Sequence, residues 1–384
     1  MRIYLILSES PIDKNSGGTT AAYDRLQALL KIASNLSVAF IDWDKKYPSP
    51  FSINQIDYYP IHTKYETEYI SKNIFIKTTI FIKKFKSIEP WFSTDLYPSK
   101  STKELDERIR SFNPDVICFD NITSTFIWMK FPDYPRIYFA HNVERDVIQY
   151  TCGGGFIKRS LEKFIMKLYE NRILSTATAS IFYTERDRSK LCNNTKRLTY
   201  VVPPAFSEPL KQTSTELSKI NYIIMPTNAK WPPNKKSLDH FFSKCLPLLS
   251  RSYNIYITGA DSNGYLANIA KKNDNVKYLG LLNRGEYEQT FINAKLFVNP
   301  TLYGSGFQIK LIEAIRFNIP IVSTSFSNPF SNAIPSSDDY EIMAKIINDH
   351  MSNAQPIVPM NYDDLYRSTT AQLYQIFSDI KSKT

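Results

Sequence analysis

Apolar residues fall along this chain in short unbroken bursts, each followed by a stretch in which they recur at helical spacing. Arg2–Leu7 is predicted as a strand, and Ala22, Leu26, Leu29 and Leu30 mark one face of a helix over 19–32. Further strands are predicted at Ser37–Ile41, at Val116–Phe119 behind Pro114-Asp115, at Arg136–Ala140 and at Ala179–Tyr183. Between the last two, Ile157–Leu174 reads as a basic amphipathic helix, and another helix follows Tyr183. Short buried strands alternating with helices imply a parallel sheet with crossover helices.

The pattern then breaks and restarts. Residues 203–219 begin Pro203-Pro204-Ala205-Phe206 and are rich in Ser, Thr and Lys, which reads as an interdomain connection. A second series follows, with strands at Tyr222–Met225, Asn254–Thr258, Val276–Leu279, Leu296–Val298 and Ile321–Ser323, and a helix near 236–250. The final stretch, Tyr362–Ile380, reads as a terminal helix. The expected organisation is an N-terminal domain over 1–203, a C-terminal domain over 204–361, and a closing helix over 362–384 that packs back on the first. Two such halves bind ligand in the cleft between them.

Composition is that of a soluble globular protein, 43% hydrophobic and 22% charged, and 384 residues are enough for two domains of ordinary size. No apolar run approaches the ~20 residues of a transmembrane helix. The opening Met1-Arg2-Ile3-Tyr4-Leu5-Ile6-Leu7 ends at Ser8-Glu9-Ser10 and reads as a buried strand rather than an export signal. Cysteines 118, 152, 192 and 245 lie far apart, against a zinc site or a disulfide framework and for a reducing compartment.

The net charge of +10 is uneven. Residues 72–86 carry five lysines and no acid, interleaved with Phe75, Ile76, Ile80, Phe81, Ile82 and Phe85. Residues 151–200 hold ten Lys or Arg against four acids. Segments 72–86 and 156–172 therefore suit peripheral contact with an anionic membrane, although a solvated lysine face remains an equal reading. None of the signatures of common nucleic-acid-binding modules is present, so no nucleic-acid partner is expected.

The stretch that carries chemistry is 304–314, Gly-Ser-Gly-Phe-Gln-Ile-Lys-Leu-Ile-Glu-Ala, between Leu296-Phe297-Val298-Asn299-Pro300 and Pro320-Ile321-Val322. Strand, glycine turn, helix and strand follow in that order. Gly304 and Gly306 let backbone approach a ligand closely, and the helix start through Phe307 and Gln308 offers unpaired N–H groups to a phosphate. Lys310 and Glu313 stand three apart on one helix face, a cation for phosphate beside a carboxylate for sugar hydroxyls.

This segment resembles the donor-site signature of GT-B glycosyltransferases, family 4, in its G-S-G-x-x-x-K-x-x-E-A form. The resemblance runs in the family's order over most of the chain. It implies a GT-B fold, two Rossmann-like parallel-sheet domains facing each other across a cleft. The implied activity is a retaining, metal-independent transfer of a sugar from a nucleotide-diphosphate sugar to a glycan acceptor, with no cofactor.

By the same resemblance, Gly17 and Gly18 of Ser16-Gly17-Gly18 form the glycine loop near the diphosphate, although as bare sequence a plain turn explains them. His141, at the end of Arg136–Ala140, contacts the donor sugar, with strand-end capping as the alternative. Backbone groups around Gly280 hold the nucleobase, and Glu313 binds the ribose hydroxyls. His141, Lys310 and Glu313 are thus the expected catalytic residues, with donor binding by Gly17, Gly18, Asn228, Asn234, Gly280, Gly304, Ser305, Gly306, Phe307 and Gln308, and no metal ligand.

Two positions depart from the family pattern. Where relatives place an Arg and a Lys six apart to neutralise the diphosphate, this chain has Asn228 and Asn234. Lys310 is then the expected substitute, with Lys230 and Lys235 in reserve. Where relatives pair two glutamates eight apart, it has Ser305 and Glu313, which leaves the sugar undefined and disfavours a covalent intermediate.

Asp42-Trp43-Asp44 has a metal-binding D-x-D form but follows the second strand, away from the donor motif, and is expected to be structural. Gly153-Gly154-Gly155 follows no strand and reads as a loop. Glu170 fits the family, and Thr184 with Asp187 reads as a helix cap. The expected setting is cytoplasmic, at the inner membrane face, in surface polysaccharide or lipid-linked glycan synthesis. Two alternatives stay open: a nucleotide-sugar epimerase on the same scaffold, and a non-catalytic partner subunit.

Overall fold

Arg2–Leu7 forms β1, and its residues after Arg2 are all buried, as an unbroken apolar run demands. The computed structural model describes residues 1–12, 17–62, 90, 100–153, 155–192, 197–210, 220–330 and 332–382. The basic segment 72–86, Ser16, Gly154 and residues 211–219 lie outside the described residues.

The chain divides into two compact units, Met1–Ser207 with Ser368–Thr384, and Glu208–Arg367. In the first, β1 is joined by β2 (Asn35–Ile41), β3 (Phe51–Ile53), β4 (Ile56–Ile61), β5 (Val116–Asp120), β6 (Arg136–Ala140), β7 (Ala179–Phe182) and β8 (Leu198–Val201). They form one sheet in the order β3-β4-β2-β1-β5-β6-β7-β8. β1, β2 and β4 to β8 run parallel, and only β3 is antiparallel to its neighbour β4.

That hairpin was not foreseen. It turns at Asn54-Gln55, both at positive φ (51° and 65°), a turn that matches strand twist but lacks the glycine that usually announces it. Strand order reverses at β1, which has β2 on one side and β5 on the other, so the carboxyl ends of β1 and β5 flank a topological switch point. Trp128, Phe119, Phe131, Tyr138 and Phe182 fill the core beneath.

The helix Phe156–Thr176 buries Ile165, Met166, Tyr169, Glu170, Ile173 and Leu174. Its first turns project outward, with Phe156 79%, Ile157 83% and Phe164 53% exposed. The helix Tyr362–Lys381 crosses the boundary between units, and within the first unit the Tyr374 hydroxyl donates to the Lys31 carbonyl.

The second unit is a parallel sheet of β9 (Ile220–Pro226), β10 (Asn254–Thr258), β11 (Val276–Tyr278), β12 (Ala294–Asn299) and β13 (Ile321–Ser323), ordered β11-β10-β9-β12-β13. The predicted helix near 236–250 is corrected: an α-helix spans Pro232–His240, followed by a π turn, Phe241–Cys245, and a 3-10 turn, Leu246–Leu248. Pro247 supplies the reason, since it has no N–H and its ring clashes with the preceding turn.

Candidate donor site and its buried neighbours

The loops that leave β9, β10 and β11 are tied together at the carboxyl edge of the second sheet. The Thr227 amide donates to the Thr258 carbonyl at 2.8 Å, and the Gly259 amide to the Gly280 carbonyl at 2.9 Å. Gly259 has φ +125°, and a Cβ there would lie 1.7 Å from the Thr227 carbonyl oxygen, so only glycine closes this junction.

Beside that edge, β12 runs into the turn 300–308 and the helix Ile309–Arg316. Gly304 and Gly306 take φ of +118° and +79°, and Ser305, half-buried, sits between them. The turn rests on the helix Pro232–His240, where the Leu302 amide donates to Ser237 Oγ at 3.0 Å. Phe307 packs edge-on against Phe330, with ring centroids 6.0 Å apart. Gln308 is the extended N-cap, and its side chain makes no capping bond.

Lys310 lies in the first turn of this helix and reaches back to the end of β9, where Nζ donates to the Pro226 carbonyl at 3.3 Å. Among the described residues it pairs with no carboxylate. Burial without a counter-charge pushes its ammonium down to about 8. Glu313, one turn on, is 18% exposed and held from the helix Arg284–Ile292. Arg284 Nη1 donates to its Oε1 at 3.1 Å, and the Tyr287 hydroxyl to its Oε2 at 2.7 Å. A carboxylate has about four acceptor positions, so capacity for further hydroxyls remains.

Asn228 and Asn234 serve the turn that joins β9 to its helix. Lys230 N donates to Asn228 Oδ1 at 3.0 Å, and Asn234 Nδ2 donates to the Asn228 carbonyl at 3.2 Å. Of the reserve lysines, Lys235 pairs with Asp239 at 3.3 Å and Lys230 is exposed. Gly280, at φ +75°, has open space where a side chain would stand.

In the first unit, Gly17 and Gly18 open the helix Gly17–Leu30, and a Cβ on Gly18 would come within 3.3 Å of Glu9 Cγ. His141 follows β6 and is 19% exposed. Its Nε2 lies 2.7 Å from Asp120 Oδ1, at the end of β5, and 3.3 Å from the Tyr183 hydroxyl, just past β7. Asp120 also pairs with Arg25, a guanidinium that is 1% exposed and stands over the rings of Phe139, Tyr183 and Phe206. Burial alone would raise the Asp120 carboxyl, but Arg25 and then His141 outweigh it and hold it below the usual range.

Sequence reasoning missed Arg25, Asp120, Arg284 and Tyr287. A signal existed for the first pair: Asp120 is the first polar residue after the run Val116–Phe119, as His141 is after Arg136–Ala140, and Arg25 interrupts the apolar stripe Ala22, Leu26, Leu29.

Asp42 is buried, accepts from the Tyr47 amide at 2.7 Å, and lies in the loop after β2, while Trp43 Nε1 donates to the Ser8 carbonyl. No group of three His, Cys, Asp or Glu among the described residues gathers to hold a metal. The Asp187 amide donates to Thr184 Oγ1 at 3.1 Å, a helix cap. Behind His141, Glu170 Oε1 accepts from the Glu144 amide at 2.6 Å, and Glu170 Oε2 is buried without a partner.

Residues 221–350 match the family model described as Glycosyl transferases group 1. No curated protein sequence matches significantly. Among solved structures, sucrose-phosphate synthase from Thermosynechococcus elongatus superposes with a TM-score of 0.66 at 14% identity, covering 100% of this chain and 99% of that one. TarM gives 0.67 at 12% identity over 99% and 98% of the two chains. The pneumococcal O-GlcNAc transferase GtfA, solved with UDP and GlcNAc, gives 0.60 at 12% over 100% and 99%. At such identities the shared property is the fold.

Proposed function

We propose, from the match of residues 221–350 to the Glycosyl transferases group 1 model and from the GT-B fold of the chain, that it is a retaining glycosyltransferase using a nucleotide-diphosphate sugar. The observation that carries the reading is Lys310, a half-buried ammonium with no carboxylate partner among the described residues, in the first turn of a helix behind a glycine turn. A cation left unpaired there is matched to a diphosphate, whose charge grows as the sugar–oxygen bond breaks. The helix N-terminus adds donor N–H groups to the same anion.

In this reading Glu313, held by Arg284 and Tyr287, binds ribose hydroxyls, and backbone at Gly280 faces the base. His141 meets the donor sugar, an assignment that rests on the family resemblance. The C1–O bond to the diphosphate breaks, the acceptor oxygen bonds C1 on the same face, and the acceptor proton passes to the departing diphosphate. Ser305 is no candidate for a covalent intermediate, and the chemistry needs no metal or cofactor.

The acceptor is proposed to be a surface or lipid-linked glycan at the cytoplasmic membrane face. Support comes from Phe156, Ile157 and Phe164, exposed beside Lys158, Arg159, Lys163 and Lys167, which are also exposed. No helix among the described residues is long and apolar enough to cross a membrane.

The test is turnover against a panel of nucleotide sugars, following released nucleoside diphosphate with and without EDTA. EDTA-insensitive release, abolished in Lys310→Ala, is the expected result. Release by neither wild type nor variant, with nucleotide bound, would favour a non-catalytic partner subunit.

A further inference from the structure

The first unit contains a charged cluster that the donor-site reading leaves unused. Arg25, from the helix Gly17–Leu30, and Asp120, from the end of β5, are 1% exposed each. Burying an ion pair costs several kcal/mol per charge before attraction offsets it, so replacing it by apolar residues is often neutral or better. Such a pair therefore calls for a role other than stability, and it faces two polar groups here, His141 and the Tyr183 hydroxyl.

We propose that the Arg25–Asp120 pair is a positioning device that fixes the imidazole of His141 with its hydrogen on Nε2, donated to Asp120, so that Nδ1 is left as the acceptor for a hydroxyl of the donor sugar. This rests on the reading of His141 as a donor-sugar contact. Three groups surround Nε2: Asp120 Oδ1 at 2.7 Å, Arg25 Nη2 at 3.1 Å and the Tyr183 hydroxyl at 3.3 Å. Asp120 is an ionised carboxylate and accepts only, so the shortest of these contacts is satisfied only when Nε2 carries hydrogen.

Arg25 has a second effect. It lies on the same carboxylate and is enclosed by Phe139, Tyr183 and Phe206, with ring centroids at 4.6, 5.2 and 5.4 Å from its guanidinium carbon. Its Nε and His141 Nε2 share one oxygen, Asp120 Oδ1, and its Nη2, a donor with no acceptor capacity, also faces Nε2. In Asp120→Ala that shared acceptor is gone, and Arg25 Nη2 is the donor left beside Nε2. Nε2 then becomes an acceptor, and the hydrogen moves to Nδ1, the atom assigned to the sugar.

The experiment is nitrogen-15 NMR of histidine-labelled full-length protein in alkaline buffer, without substrate, with the His141 signal assigned by His141→Gln. Wild type should show hydrogen on Nε2, Asp120→Ala on Nδ1. The double variant Arg25→Met/Asp120→Ala, which removes the remaining donor as well, should lose the preference for Nδ1. Turnover of Asp120→Ala should fall about 10- to 100-fold with donor KM nearly unchanged, and recover in part in the double variant.

Hydrogen on Nδ1 in wild type, which needs no variant to fold, would overturn the proposal, as would an unchanged tautomer in Asp120→Ala. The predicted tautomers with undiminished turnover would uphold the positioning and remove His141 from the transfer reaction.

Discussion

The Tyr287 hydroxyl donates to Glu313 Oε2 at 2.7 Å, linking the helix that follows β11 to the helix that follows the glycine turn. Tyr287 is itself half-buried, and desolvation with the adjacent Glu313 carboxylate pushes its phenol well above the usual range. A carboxylate restrained in this way is preorganised for its second set of hydroxyl donors. Tyr287→Phe should therefore weaken nucleotide binding about 3- to 10-fold and Glu313→Ala more, since the former leaves the carboxylate present and still tied to Arg284. Calorimetric titration of both variants with the preferred nucleoside diphosphate checks the order.

In the proposed donor site, Lys310 is expected to set a pH limit on binding. Burial brings its ammonium down to about 8, so in the unliganded protein the cation is present below that pH and lost above it. Affinity for a nucleoside diphosphate should fall by up to about tenfold per pH unit on the alkaline side, the slope of one linked proton. In Lys310→Met the slope should vanish and turnover should fall more than affinity. A pH series of binding constants for both proteins gives the answer.

Glu144 and Glu170 make the opposite kind of group, carboxyls that hold protons more tightly when folded. Burial, with Glu144 beside it, raises Glu170 to about 8, and burial with Asp187 nearby raises Glu144 to about 7 against the hydrogen bond from Asn142. The stability they lend is complete below the ordinary carboxyl value of 4.5 and is lost as pH rises through about 7 and 8. Tm should decline over that window. Glu170→Gln should flatten the decline and raise Tm by a few degrees at its alkaline end, read by calorimetry.

Gly259→Ala tests the junction of the loops that leave β9, β10 and β11. Its Cβ would overlap the Thr227 carbonyl in a backbone conformation that L-residues avoid, so the loops after β9, β10 and β11 must separate. A loss of more than about 3 kcal/mol is expected. Denaturant unfolding measures it, and Gly285→Ala, where a Cβ would meet its nearest atom at 3.6 Å, should be tolerated by comparison.

The exposed apolar tip of the helix Phe156–Thr176 predicts salt-sensitive adsorption to anionic vesicles. Phe156→Ser/Ile157→Ser should lose that adsorption and keep turnover on a soluble acceptor. Co-sedimentation with phosphatidylglycerol vesicles separates this from a solvated face.

The parallel architecture was legible because buried strands write themselves as unbroken apolar runs. β1, β6, β10 and β13 appear in the structure with the predicted bounds. The β3–β4 hairpin was not, because Asn54-Gln55 lacks a glycine and Ile53 is exposed. In the candidate site, the placement of Lys310 and Glu313 on one helix was legible from their spacing. Asp120 and Arg25 did not, since they meet His141 across 21 and 116 positions of chain, a relation only sheet order creates. Tyr287 was hidden likewise, being 26 positions before the carboxylate it holds.

The central claim, a nucleoside-diphosphate site built on Lys310 and Glu313, is tested most directly by calorimetric titration of wild type, Lys310→Ala and Glu313→Ala with UDP, GDP, ADP and CDP, in the presence and absence of EDTA. Selective binding of one nucleotide, indifferent to EDTA and lost or strongly weakened in Glu313→Ala, is the predicted result. Binding of none of the four, or equal binding by all three proteins, would contradict it.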